Sequence, residues 1–176
     1  KRVRTEYQEV PVNSNDDVND IFNTDTSPTF QIAVLSNFIA RPFYEQIGNA
    51  TGININEWRI LLILAAKPGI VQTDIASATG LHKMTVSRSL RSMVKYVAIK
   101  AHPHDKRKKV AHLTDAGWCI YRRQLPALYH RQHLLVQAMG VEECSNFKLT
   151  LGKLVETART WSNIDLDLPK LEPIRK

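Results

Sequence analysis

Nine basic side chains crowd one stretch of this chain: Lys83, Arg88, Arg91, Lys95, Lys100, Lys106, Arg107, Lys108 and Lys109 fall between residues 73 and 113, against only Asp74 and Asp105. That stretch carries the whole formal excess of +7 of the 176 residues, because residues 1–72 hold six basic and eight acidic side chains and residues 114–176 hold nine and seven. A local field of this density suits a polyanion, nucleic acid first and an acidic membrane surface or protein well behind. Short hydroxyls reach phosphates and bases, and a guanidinium holds guanine bidentately. Lys83, Thr85, Ser87, Arg88 and Arg91 are therefore expected to enter or flank a major groove, with Arg88 foremost. A second cluster, Lys106, Arg107, Lys108 and Lys109, suits the neighbouring phosphates and minor groove. The negative potential of that groove favours the Arg107 guanidinium, and Asp105 is expected to orient Arg107 rather than to touch nucleic acid.

Side chains can do this only if regular elements aim them. A short helix is expected from about Gln72 to Thr79, with Ile75 and Ala76 inward and Gly80 as the left-handed residue after its last turn. After a tight turn, a second helix runs from His82 to about Tyr96. Its inward positions are Val86, Leu90, Met93 and Val97, and Met84, Ser87, Arg88, Arg91 and Lys95 form a separate stripe. Two helices joined by a short turn, the second bearing an exposed basic and hydroxyl face, make a helix-turn-helix. Val97–Ala101 and Val110–Leu113 have β-branched, alternating character around a charged tip, His102 to Lys109, and read as a β-hairpin wing.

The flanks are helical. From Thr29 the densely apolar FQIAVLSNFIARPFYEQIG places Ile32, Leu35, Ile39 and Phe43 at helical spacing, and Pro42 should bend or end that helix; it is expected to be largely buried. Glu57–Ala66 places Trp58, Leu61, Leu62 and Ala65 on one face before Lys67-Pro68-Gly69 stops it. Thr114 is a good N-cap for a helix reaching about Met139, kinked at Pro126 and ended by Gly140. A last helix, Glu142 to about Trp161, carries Phe147, Leu151, Leu154, Ala158 and Trp161 on a stripe that needs a partner surface. The polar residues 1–28 read as a flexible arm and residues 163–176 as an irregular tail. The expected class is all-α with a small β-hairpin wing, organised as segments 29–55, 56–113 and 114–162 between arm and tail.

Composition excludes other classes. With 43% hydrophobic and 23% charged residues, and no run near the ~20 apolar residues of a membrane span, the chain reads as a soluble, cytoplasmic protein. Cys119 and Cys144 make neither a disulfide framework nor a paired CxxC metal or redox site. His130 and His133 share a helix face and His102 and His104 flank the wing, but no Cys or carboxylate completes a four-ligand set, so no metal site and no cofactor is expected. A thiol sensor would need a cysteine beside a cation, whereas Cys144 follows Glu142 and Glu143. No glycine-rich phosphate loop, nucleophile elbow or HExxH supports an enzyme. The remaining alternatives are a metal- or redox-responsive protein of the same fold, or a winged-helix protein-interaction module.

From Trp58 to Gly117, about 60 residues, the chain resembles the MarR family of bacterial regulators. The elements that carry the resemblance are WRILLIL, the helix QTDIASATGL, the helix HKMTVSRSL and the wing HDKRKKVAHLTDAG, whose Asp-x-Arg precedes a Leu-Thr-x-x-Gly ending. His82 stands where the family often has an acidic N-cap, Val97 where a glycine often closes the recognition helix, and Val71 where a hydroxyl cap would be expected. The resemblance implies a homodimer interlocked through its first and last helices, consistent with the apolar helices at both ends. It implies a sequence-specific transcriptional repressor on double-stranded DNA, with a pseudo-palindromic site whose half-sites lie about one helical turn, ~10 base pairs, apart. It also implies release by a phenolic compound, an aromatic carboxylate or a thioester, as in aromatic compound catabolism. For such an anionic effector Arg41, Trp58, Arg59 and His130 offer donors and a stacking surface.

Overall fold

The computed structural model of the chain describes residues 3–5, 23–160 and 164–166. They divide into two compact units, residues 25–134 and residues 1–24 with 135–176. Among the described residues no helix is long and apolar enough to cross a membrane.

The larger unit opens with α1, Pro28–Phe43. Pro42 has no N–H for the carbonyl one turn back, and immediately beyond it the chain widens into a π-helical turn, Tyr44–Gly48, and a last turn, Asn49–Thr51. The expectation that this first helix is buried fails. Only its last residue, Phe43, is buried, while Phe30, Ile32, Leu35, Phe38 and Ile39 face outward. Among the described residues of one chain nothing buries that apolar face, so its periodicity records a need for cover rather than a place in the core.

Helix α2, Ile55–Ala66, starts two residues earlier than the sequence pattern suggests, because Asn54 and Glu57 form a capping box. The Asn54 side chain accepts from the backbone N–H groups of Asn56 and Glu57, both at 3.0 Å, and the Asn54 N–H donates to Glu57 Oε2 at 2.8 Å. Trp58, Ile60, Leu61 and Leu64 are buried; Leu62 and Ala65, read as inward from the sequence, are half-buried at the edge.

Next come β2, Ile70–Val71, α3, Gln72–Thr79, and α4, Lys83–Ser92. Ile75 and Ala76 of α3 are buried, and Gly80 closes the helix with φ 70°, a left-handed conformation that costs glycine least. Two strands follow, β3 (Val97–Ala101) and β4 (Lys109–Leu113), antiparallel from Val97 opposite Leu113 to Ala101 opposite Lys109. β2 adds a third strand on the far side of β4, pairing Ile70 with Ala111 and Val71 with Val110. That pairing accounts for the missing hydroxyl cap: Val71 is a sheet residue in extended conformation that doubles as the N-cap of α3.

One core joins these pieces. Phe43, Ile53, Trp58, Leu61, Leu64, Ile75, Val86, Leu90, Met93, Val97, Ala111 and Leu113 bury against each other. Thr114 then starts α5, Asp115–Met139. Its Oγ1 accepts from the Gly117 N–H at 3.2 Å and donates to the Lys95 carbonyl at 2.8 Å, tying the helix start to the turn before β3.

In the smaller unit the end of α5 turns at Gly140 into α6, Val141–Thr160, whose Phe147, Leu149, Leu154 and Val155 are exposed. Strand β1, Val3–Thr5, pairs in parallel with β5, Ile164–Leu166. Two short pieces of the arm and tail, read from the sequence as unstructured, are thus paired. Residues 23–27 of the arm form a turn ahead of α1, whereas Trp161 and residues 1–2, 6–22, 162–163 and 167–176 lie outside the described residues.

Candidate nucleic-acid interface

Helix α4 is built so that its two faces cannot be exchanged. Val86, Leu90 and the following Met93 are fully or almost fully buried, and at 100° per residue this turns Met84, Arg88 and Arg91 away from the core, while Lys83 is the first residue of the helix, at its open end. All four are exposed. Thr85 and Ser87, expected beside them, are half-buried at the flanks. The Arg91 guanidinium donates from Nε to the Ser87 carbonyl at 3.3 Å, so this side chain lies back along the helix. The start of α4 is held by His82, whose Nδ1 accepts the Met84 N–H at 3.2 Å. An imidazole nitrogen thus takes the place of the acidic cap that the sequence lacks.

The helix ends at Ser92 rather than near Tyr96. The N–H groups of both Tyr96 and Val97 donate to the Met93 carbonyl, at 2.8 Å each, and turn the chain into β3. Lys95 therefore leaves the stripe assigned to it and is exposed in the turn, its ammonium 5.5 Å from the centre of the Tyr96 ring.

The wing tip is ordered by its own hydrogen bonds. His102 Nδ1 accepts from the N–H groups of His104 and Asp105, both at 3.2 Å, and the His102 N–H donates to the Lys108 carbonyl at 2.9 Å. Asp105 accepts the backbone N–H of Arg107 at 3.1 Å, and its other oxygen lies 3.9 Å from Lys108 Nζ. Instead of orienting the Arg107 side chain, Asp105 fixes that residue's backbone, and Lys108 takes the ion pair. Lys106, Arg107, Lys108 and Lys109 are all exposed, as is Lys100 on β3, which sequence reasoning counts in the charge but not in the site.

The four residues expected to meet an effector separate. Arg41 and Arg59 line one cleft of about 420 Å³ with Ser36, Asn37, Ala40 and Ile55. Arg59 Nη2 donates to Ser36 Oγ at 3.4 Å, and the Arg41 guanidinium sits 5.1 Å from the Phe38 ring centre. Trp58 is committed to the core instead: it is 4% exposed and stacks on Phe43 with ring centres 5.8 Å apart. His130, exposed on α5, is not among the residues lining the cleft. Sequence reasoning misses Ser36 and Asn37, because a polar pair inside an apolar helix reads as an interruption.

A three-helix lobe whose exposed basic helix is followed by a two-stranded wing defines a winged helix-turn-helix protein. Residues 51–108 match the model of the MarR family. The curated relative PetP, an HTH-type transcriptional regulator of Rhodobacter capsulatus, is 26% identical over 102 residues, 57% of this chain and 61% of that protein; the chain thus spans about three fifths of that relative's length. Among solved structures, a MarR/EmrR family transcriptional regulator from Acinetobacter sp. ADP1 is 26% identical and superposes with a TM-score of 0.70 over 79% of this chain and 99% of that one. The S. aureus MepR–DNA complex, 21% identical, superposes with a TM-score of 0.66 over 76% and 98%. In its winged helix-turn-helix region this chain is thus similar to MarR family regulators.

Proposed function

We propose that the chain is a sequence-specific, double-stranded DNA-binding transcription regulator acting in the cytoplasm as a homodimer. The observation that carries this reading is the fixed outward aim of Arg88 and Arg91 by the burial of Val86 and Leu90, with Lys83 exposed at the start of the same helix. A second basic group, Lys106 to Lys109, sits on the hydrogen-bonded wing tip of the same unit. Recognition helices read the major groove mainly through their first turns, and a charged wing can follow the backbone into the adjacent minor groove. In this reading Arg88 contacts guanine, Thr85, Ser87, Lys83 and Arg91 flank it, Arg107 enters the minor groove, and Lys106, Lys108 and Lys109 neutralise phosphates. That the similar fold of MepR has been solved in complex with DNA supports the DNA-binding reading.

Dimerisation through the uncovered apolar faces of α1 and α6 makes two such surfaces, which suits half-sites ~10 base pairs apart. The cleft between α1 and α2 supplies the control. Arg41 and Arg59 face a space lined otherwise by the polar Ser36 and Asn37 and the apolar Ala40 and Ile55, which suits an aromatic carboxylate, a phenolic compound or a thioester with an anionic end. Such a compound releases the protein from its operator, making it a repressor.

Gel-shift titration of genomic fragments at two salt concentrations, with and without a panel of aromatic acids and thioesters, tests this. Tight, salt-sensitive binding to particular fragments that one compound abolishes is the expected result. Weak binding indifferent to sequence at both salt concentrations overturns the reading.

A further inference from the structure

The stripe that α4 turns outward has one member that charge does not explain. Met84 is 53% exposed, an apolar side chain set among Lys83, Arg88 and Arg91. It cannot serve the core: it lies two residues before Val86, on the side of the helix opposite to Val86 and Leu90. It shares its face with Arg88 and Arg91, which follow it at i+4 and i+7.

Two further facts fix what it can reach. Met84 is the second residue of α4, in the first turn, the part of a recognition helix that approaches base edges most closely. Its backbone N–H is held by His82 Nδ1 at 3.2 Å, so the direction of this first turn is set before any ligand arrives. Among the groups that base pairs show in the major groove, the apolar one is the C5-methyl of thymine. A flexible, polarisable thioether is well suited to close over a methyl whose exact position varies with DNA geometry.

We propose that Met84 is a specificity-determining residue that packs against a thymine methyl in each half-site, next to the base read by Arg88. The proposal rests on the DNA-binding reading above and adds a hydrophobic contact to its polar ones.

The test begins with selection of binding sites by the full chain from randomised duplex DNA. Each thymine of the selected site is then replaced in turn by deoxyuridine, which removes the methyl and leaves every hydrogen-bonding group in place. One position per half-site is expected to lose about four-fold in affinity, the worth of one buried methyl group. Met84→Ala, a surface change that leaves the core untouched, is expected to bind thymine and uracil at that position equally while remaining as sensitive as the parent to changes at the guanine. Specific binding with no thymine sensitive to methyl removal overturns the proposal alone, as does a Met84→Ala protein that retains the sensitivity. Failure of any sequence to be enriched by the parent chain overturns the DNA-binding reading and this inference together.

Discussion

Glu57 accepts a hydrogen bond from the hydroxyl of Ser92, joining the first turn of α2 to the last residue of α4. The same carboxylate closes the capping box through Oε2, and its side chain is buried, with the residue 6% exposed. One residue thus starts the helix that lines the cleft and steadies the helix proposed to read DNA. Removing it takes one hydrogen bond from the Asn54 N–H and one from the Ser92 hydroxyl, both on exposed residues that water can reach, and one such bond is worth about 0.5–1.5 kcal/mol net. Glu57→Ala is therefore expected to lower unfolding stability by about 1–3 kcal/mol in urea titration. Glu57→Gln, which keeps one acceptor oxygen, should lose about half as much. A loss within experimental error for Glu57→Ala would show that the interaction is not held in solution.

The imidazole cap of α4 can be tested apart from DNA. His82 is exposed, and its structural role is to accept the Met84 N–H. Loss of an N-cap acceptor costs about 1 kcal/mol. His82→Ala should show that loss in chemical denaturation, and His82→Asn, whose side-chain oxygen reaches the same N–H, should recover it. If alanine and asparagine behave alike, the Nδ1 hydrogen bond contributes nothing.

Gly117 closes the Leu-Thr-x-x-Gly ending of the wing for a steric reason. A Cβ at this position would collide with the backbone carbonyl oxygen of Tyr96 and lie 3.3 Å from the Leu113 side chain. That carbonyl is held by the Thr114 N–H at 3.0 Å and cannot simply turn away. Gly117→Ala, helpful in an ordinary helix, is here expected to destabilise by about 1–3 kcal/mol and to loosen the wing against α5. Hydrogen exchange across residues 96–117 measures the second effect; unchanged protection would remove the steric account.

How much of the fold is legible in the sequence depends on how local each signal is. The aim of α4 is readable because Val86, Leu90 and Met93 lie at helical spacing beside Gly80, a stop signal within the same few residues. The Asn54-x-x-Glu57 cap is also written there, one turn ahead of the apolar run that marks α2, but it is easily overlooked because that run begins at Trp58. The end of α4 is hidden for a physical reason: Val97 is buried in the same core from β3, so the inward pattern continues past the last helical residue. Strand β2 has two residues, too few for alternation to appear. For α1 and Trp58 the sequence marks apolar surface but not its neighbour. Phe43 claims Trp58, whereas Phe38 is left exposed beside Arg41.

Base-reading and phosphate-neutralising side chains should separate in their salt response. Arg88→Ala is expected to cost about 1–3 kcal/mol on the selected site and to blur its sequence preference. Lys106→Ala on the wing should weaken all sequences alike and reduce the slope of log affinity against log salt by about 1 for each phosphate no longer neutralised. Fluorescence anisotropy at several salt concentrations distinguishes them. Equal loss of specificity from both would mean that the wing and the helix do not divide the work in this way.

The last test concerns what covers α1. Phe38 is 59% exposed, with Phe30, Ile32, Leu35 and Ile39 also outward on a 16-residue helix. An apolar face of this extent is a docking surface when the other described residues leave it bare. In a two-fold dimer a residue on such a face is altered on both partners at once, so one charged replacement places two uncompensated charges in the interface. Phe38→Glu is expected to convert a dimer to monomers in analytical ultracentrifugation while leaving the winged lobe folded by circular dichroism, since Phe38 is no part of its core. Monomers should then lose the two-site advantage on paired half-sites and keep only the weaker binding of a single half-site. A parent chain that is monomeric at micromolar concentration, or a Phe38→Glu protein that stays dimeric, would place the dimer interface elsewhere or remove it.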